Sequence, residues 1–166
     1  MNRRDIVIGL VVLAVVVGAV YWTRSRQQAS VVTSPSPAPS IEESLESRFN
    51  LQIPEDVEKA DLTDVSGGDG SGIATRKLEA GLFSHTVLAD LPDPTPGTFY
   101  EGWLVRGREG EANFAFISTG KLGIAKGGYL LEFSSRTDYS DYTGVVVTSE
   151  KVDDKKPETH ILEGSF

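Results

Sequence analysis

Phe83-Ser84-His85-Thr86-Val87-Leu88-Ala89-Asp90-Leu91 decides the fold class. Phe83, His85, Val87, Ala89 and Leu91 fall on one face of an extended chain, and Ser84, Thr86, Leu88 and Asp90 on the other. This period of two marks a β-strand with one face on a core. Pro92-Asp93-Pro94-Thr95-Pro96-Gly97 closes the run, because proline cannot donate to a strand ladder. Thr98–Arg106 follows, aromatic-rich and apolar on both faces, as a central strand should be.

The same grammar extends in both directions. Downstream, residues 112–118, 129–134, 144–149 and 159–162 are further strand candidates, with Tyr129, Leu131 and Phe133 sharing one face. Turn signals fall at 107–110, 120–128, 136–142 and 153–157. Upstream, β-rich sequence begins at about Ala60, and Ser66-Gly67-Gly68-Asp69-Gly70-Ser71-Gly72 reads as a loop between strands. Short strands at this spacing with no second helical pattern predict an all-β domain over residues 60–166, an Ig-like or Greek-key β-sandwich. Trp103 is expected in its core.

Residues 41–59 form a lead-in. Ser40 with Glu43 three positions on has the pattern of a capping box, and Ile41, Leu45 and Phe49 share a helical face. A short helix over 41–49 follows, ended by Asn50 and Pro54 and packed on the edge of the domain. A partner-binding helix is the alternative. Before it, residues 23–40 are Pro- and Ser-rich, with Ser34-Pro35-Ser36-Pro37-Ala38-Pro39-Ser40 at their end. Such a composition builds no core and favours extended, polyproline-like chain, so it reads as a spacer. A proline-motif ligand is the other reading.

Residues 6–22 carry no charge and are dominated by Val, Leu, Ile, Ala and Gly. Seventeen residues at about 1.5 Å each span roughly 25 Å, the short end of a membrane-crossing helix. Tyr21 and Trp22 suit a headgroup zone, and Arg24 and Arg26 can snorkel. A cleavable signal peptide is the competing reading, with Arg3 and Arg4 as its basic region and Val17-Gly18-Ala19 as a cleavage site. The apolar run continues past Ala19, which favours a single-pass signal anchor. Residues 1–5 then stay in the cytoplasm and the C-terminal domain lies outside it.

Of 24 acids and 16 bases, four arginines and Asp5 flank the apolar run. The remainder from residue 40 onward holds 23 acids and 12 bases, a net charge near −11. Such a module repels phosphate backbones, so no nucleic-acid partner is expected. It also stands off anionic headgroups. Cysteine is absent, which excludes disulfides, thiolate metal sites and a cysteine nucleophile.

Chemistry-bearing residues are sparse. His85 shares a face with Phe83 and Val87 and reads as a partly buried histidine satisfied by a neighbour, while His160 reads as half-exposed in the last strand. No zinc spacing, nucleophile elbow or phosphate loop occurs. Asp61, Asp64 and Asp69, and separately Asp138 and Asp141, are loop carboxylates of the kind Ca²⁺ prefers, but the EF-hand spacing is absent, and solvated turn aspartates are the plainer account. No catalytic residue, cofactor or metal is assigned. Tyr139 and Tyr142, with Asp138 and Asp141 in the same polar loop, are the candidate partner-contact residues. Covering the end of the sandwich is their structural alternative.

An ordered set of motifs resembles a known family. Leu91-Pro92, a Pro/Gly turn, then Tyr100-Glu101-Gly102-Trp103-Leu104-Val105 is similar to the "LP … Y-x-x-W-L" signature of the extracytoplasmic β domain of anti-sigma-K-type factors. Ser118-Thr119-Gly120-Lys121-Leu122 resembles that family's "S-x-G-x-[FL]" segment. Val145–Glu150 and Pro157–Gly164 resemble its terminal strands. Asp153-Asp154-Lys155-Lys156 stands where the family has a glycine pair. The resemblance implies a β-sandwich outside the membrane that acts by binding protein or sensing the envelope. Because only residues 1–5 precede the apolar run, the family's cytoplasmic sigma-binding domain has no counterpart, and sigma-factor binding is not expected. The leading expectation is a non-enzymatic tethered module with an envelope protein partner. A structural protein binding wall polymer or glycan comes second and a hydrolase third.

Overall fold

The computed structural model describes residues 39–166, which form one compact unit, Pro39–Phe166. The expected anchor at 6–22 and nearly all of the spacer lie outside the described residues. Among the described residues, no helix is long and apolar enough to cross a membrane.

Among the described residues, one helix, α1 (Ile41–Phe49), precedes nine strands. They are β1 (Glu58–Asp64), β2 (Ser71–Glu79), β3 (Leu82–Asp90), β4 (Phe99–Arg106), β5 (Ala115–Lys121), β6 (Gly123–Ala125), β7 (Gly128–Ser135), β8 (Gly144–Glu150) and β9 (Thr159–Ser165). The all-β expectation holds, but the two-sheet sandwich does not. All nine strands pair in a single antiparallel sheet, in the order β5-β4-β8-β9-β1-β2-β3-β7-β6. The reason is β9, which pairs with β8 along most of its length and with β1 through Thr63↔Glu163 and Asp64↔Leu162. That short seam joins what would otherwise be two sheets.

The sheet curls until β4 meets β7 across its inside. The Tyr100 and Tyr129 rings lie edge to face at 5.1 Å, and a Cβ on Gly102 would stand 2.8 Å from Leu131 Cδ1. Inward residues of eight strands make one core, including Leu62, Phe83, Val87, Leu104, Val145 and Leu162. The face formed by Phe83, His85, Val87, Ala89 and Leu91 is the buried one, as its alternation requires. Both ends are plugged by tyrosines. Tyr100 donates to the Pro92 carbonyl at 3.2 Å and Tyr129 to Asp93 Oδ1 at 3.0 Å beneath the proline-rich loop.

α1 begins as its capping box dictates. Ser40 Oγ accepts from the Glu43 amide at 3.1 Å and Glu43 Oε2 accepts from the Ser40 amide at 3.0 Å, satisfying two donors a helix start leaves open. Asn50 ends it in the left-handed region at φ 51°. Leu45 and Phe49 pack on Ile73 and Leu88, so the helix covers the outer face of β2 and β3 rather than the domain edge. Two loop readings also shift. Ser71 and Gly72, read as loop, open β2, and the turn read at 120–128 contains the short strand β6.

Candidate functional site

The curled sheet has two outer halves. α1 covers part of one of them, over β2 and β3. On the other, the outer face of β5-β4-β8-β9 carries large apolar residues beneath no helix of the described residues. Along β4, Tyr100, Gly102 and Leu104 point inward, which sends Glu101, Trp103 and Val105 outward. The registers Trp103↔Val146, Trp103↔Ser118 and Val105↔Phe116 bring Val146, Ser118 and Phe116 beside them. Trp103 is 1% exposed, as expected of a core residue, yet it lies outside the main core. It is buried against the opposite face of the sheet.

Polar bonds hold it there. Trp103 Nε1 donates to Thr148 Oγ1 at 2.7 Å, and Thr148 Oγ1 donates on to the Glu101 carbonyl at 3.3 Å. Glu101, itself 1% exposed, accepts from Ser118 Oγ, and Lys155 Nζ stands 3.8 Å from its carboxylate. Glu150 is fully buried and accepts the Glu158 amide at 2.9 Å. Glu158 in turn accepts from the amides of Lys151 and Val152 at 3.1 and 3.2 Å. Buried acids therefore organise the β8–β9 loop over the end of this face. Lys155, in the stretch where the resembled family has glycines, takes a left-handed φ of 64°.

Phe116 meets Trp103 edge to face at 5.9 Å and is 37% exposed, and Phe114 lies 5.9 Å from Phe116. Together with Val105, Val146 and the backbone of Gly144 and Gly164 they line a groove of about 600 Å³. Arg108 and Glu109, from the β4–β5 turn, stand at one end. Lys156 and Pro157, from the β8–β9 loop, stand at the other. His160 and Glu163 flank the floor and bond to each other, Nδ1 to Oε1, at 2.5 Å. An apolar floor with charged ends suits side-chain docking. No group in the groove pairs a nucleophile with a base.

The candidate contact residues from the sequence sit elsewhere. Tyr139 packs on Phe83 at 5.8 Å, on Phe133 at 6.0 Å and on Tyr142 at 5.4 Å, plugging the end of the sheet opposite the proline-rich loop. Arg106 lies 5.0 Å over the Tyr142 ring and pairs with Asp141 at 2.5 Å. Asp138 is turned back on its own loop, accepting the Ser140 amide at 2.8 Å. Both rings are half-buried, while Asp138 and Asp141 remain exposed.

His85 is 1% exposed; Nδ1 donates to the Thr75 carbonyl at 3.0 Å, and Nε2 has no partner among the described residues. Burial, with the neighbouring Arg76 guanidinium, pushes its pKa down to about 4, against the opposing Thr75 bond. It is therefore a neutral imidazole at neutral pH. Asp64 anchors the Gly-rich loop, accepting from Ser66 Oγ and from the amides of Ser66, Gly68 and Gly70. Desolvation pushes its carboxyl up, but these donors together outweigh it and hold the carboxyl below its ordinary value. Among the described residues, no cluster of three or more His, Cys, Asp or Glu could hold a metal ion.

Comparison with known proteins then fixes the lineage. The family described as anti-sigma-K factor rskA, C-terminal, matches residues 7–161. The chain belongs to that family. No curated protein and no solved structure matches it. The matched span takes in the ordered motifs from Leu91 to Ile161, and the structure gives those residues physical roles. Tyr100 plugs the core, Trp103 floors the outer groove, and Ser118 supports Glu101. Sequence reasoning missed the groove because its other side comes from β8, β9 and the loop between them, about forty positions beyond the β4–β5 hairpin that supplies its aromatics. The signal that could have found it is the parity of β4, where Gly102 and Leu104 on one face leave Trp103 to the other.

Proposed function

We propose that this chain is a membrane-tethered, extracytoplasmic module of the anti-sigma-K type, which works by contacting another protein in the envelope and carries out no catalysis. Family membership carries the reading, because the match begins at residue 7 and takes in the apolar run together with the strands. Residues 6–22 are the anchor in this reading, residues 1–5 are cytoplasmic, and the domain faces outward. The sigma factor is then on the far side of the membrane from the strands, and the β domain does not bind it. Its contact surface is the outer groove floored by Trp103 and edged by Phe116. Protein contact is favoured over sugar binding there, since stacking a sugar needs an open ring face and Trp103 is 1% exposed.

Protease added to intact spheroplasts should digest the domain, while the mature N-terminus still includes Arg3. Protection of the domain, or a mature chain beginning at Val20, would remove the tether or its orientation. Cross-linking in intact cells from a photoreactive residue at position 116 should yield a discrete protein adduct.

A further inference from the structure

The groove has a charge pattern that the domain around it lacks. The sequence from residue 40 onward carries about eleven more acids than bases, yet a basic side chain stands at each end of this apolar floor. Arg108 extends from the β4–β5 turn, beside the Arg106 end of β4. Lys156 extends from the β8–β9 loop, beside the Phe99 end. Neither has an ion-pair partner among the described residues, whereas Lys121 and Lys155 close by are both held by Asp153. Two acids also line the groove, Glu109 next to Arg108 in the turn and Glu163, which is hydrogen-bonded to His160 on the floor.

Taking the groove as the contact surface named above, we infer that it accepts an extended segment of a partner protein in which a large apolar or aromatic side chain is flanked on both sides by carboxylates. The apolar side chain rests on Phe116, Phe114 and Val105, above the buried Trp103. The two carboxylates reach Arg108 and Lys156. About 600 Å³ is room for one or two large side chains and excludes a folded surface, so the occupant is a peptide segment. Burying the side chain against the apolar floor supplies affinity, and the terminal cations select the flanks and set the direction of approach. The surrounding acidic surface repels any acidic segment that is not aligned on those two cations, which sharpens the choice.

The test uses the full chain in detergent micelles with Trp22→Phe, so that Trp103 is the only tryptophan. Two fluorescent nonapeptides with a central phenylalanine serve as probes, one flanked by aspartates and one by lysines. The aspartate peptide should bind, perturb Trp103 emission and weaken with salt. The lysine peptide should bind at least about tenfold more weakly, the size expected from two rim charges. Arg108→Glu with Lys156→Glu, both exposed and remote from the core, should reverse that preference. Equal binding of the two peptides, a preference untouched by the double variant, or no binding of either overturns the inference. If the photoreactive residue at position 116 still captures a protein in cells, the failure is confined to the charge pattern. If it captures none, the contact reading itself fails.

Discussion

At the scale of single residues, two positions have effects that can be measured directly. Ala80 and Gly81 form a two-residue turn between β2 and β3, at φ 49° and 76°. Both central positions of such a turn need positive φ, which Gly and Asn tolerate and alanine resists. Ala80→Asn should raise unfolding stability by about 1 kcal/mol, read in urea melts with an unchanged m-value. His85 sets a pH window. Its folded pKa, about 4, lies below the ordinary 6.5, so between those values the unfolded chain binds a proton that the folded one refuses. Stability therefore falls as pH drops from 6.5 toward 4, by on the order of 3 kcal/mol in all. His85→Phe should flatten the slope between pH 7 and pH 5, whatever it does to absolute stability. An unchanged slope would show that His85 does not titrate with folding.

At the scale of elements, the seams decide the architecture. β1 and β9 share only two registered pairs, and there Gly164 passes so close to β1 that a Cβ would overlap the Asp61 carbonyl oxygen. Gly164→Ala should cost roughly 2 kcal/mol or more, because the atom in the way is backbone and cannot rotate aside. A near-zero change in thermal melts would mean that β1 and β9 separate cheaply. The helix offers a second handle. Leu45 is 1% exposed between α1 and the outer face of β2 and β3. Leu45→Ala should cost about 2–5 kcal/mol, and Ser40→Ala about 1 kcal/mol by removing the cap. A melt unaffected by Leu45→Ala would show that the sheet carries its stability without the helix.

At the scale of the whole described domain, one sheet curls around one core, both ends are plugged by tyrosines, and part of one outer half is covered by a helix. The remaining outer half is where aromatic surface and unpaired basic groups meet. Phe116→Ala tests that division of labour. Its ring is 37% exposed and outside the main core, so stability should fall by about 1 kcal/mol or less. Cross-linking of partner proteins to the domain in intact cells should drop sharply. A large loss of stability with undiminished cross-linking would reassign Phe116 from contact to packing.

How much of this was legible beforehand depends on the range of the interactions. The strand at 82–90, its buried parity, the capping box and Asn50 stop of α1, and the breaks at proline and glycine were all readable, because each is set by neighbours a few positions apart. So was the lineage, since ordered short motifs survive in the sequence itself. What only the tertiary structure decided came from pairings between strands far apart in the chain. No local pattern says that β9 lies between β8 and β1, and so the sheet was read as two. Trp103 is as buried as its composition promised, but which face it is buried against depends on Gly102 opposing Leu131 across the curl. That Tyr139 and Tyr142 cover the end of the strands was one of two sequence readings, but nothing adjacent in sequence announces Phe83, fifty-six positions before Tyr139, as the ring Tyr139 packs on. Short-range sterics and hydrogen bonding are written residue by residue, whereas a face, a plug or a groove exists only once distant strands have been brought into register.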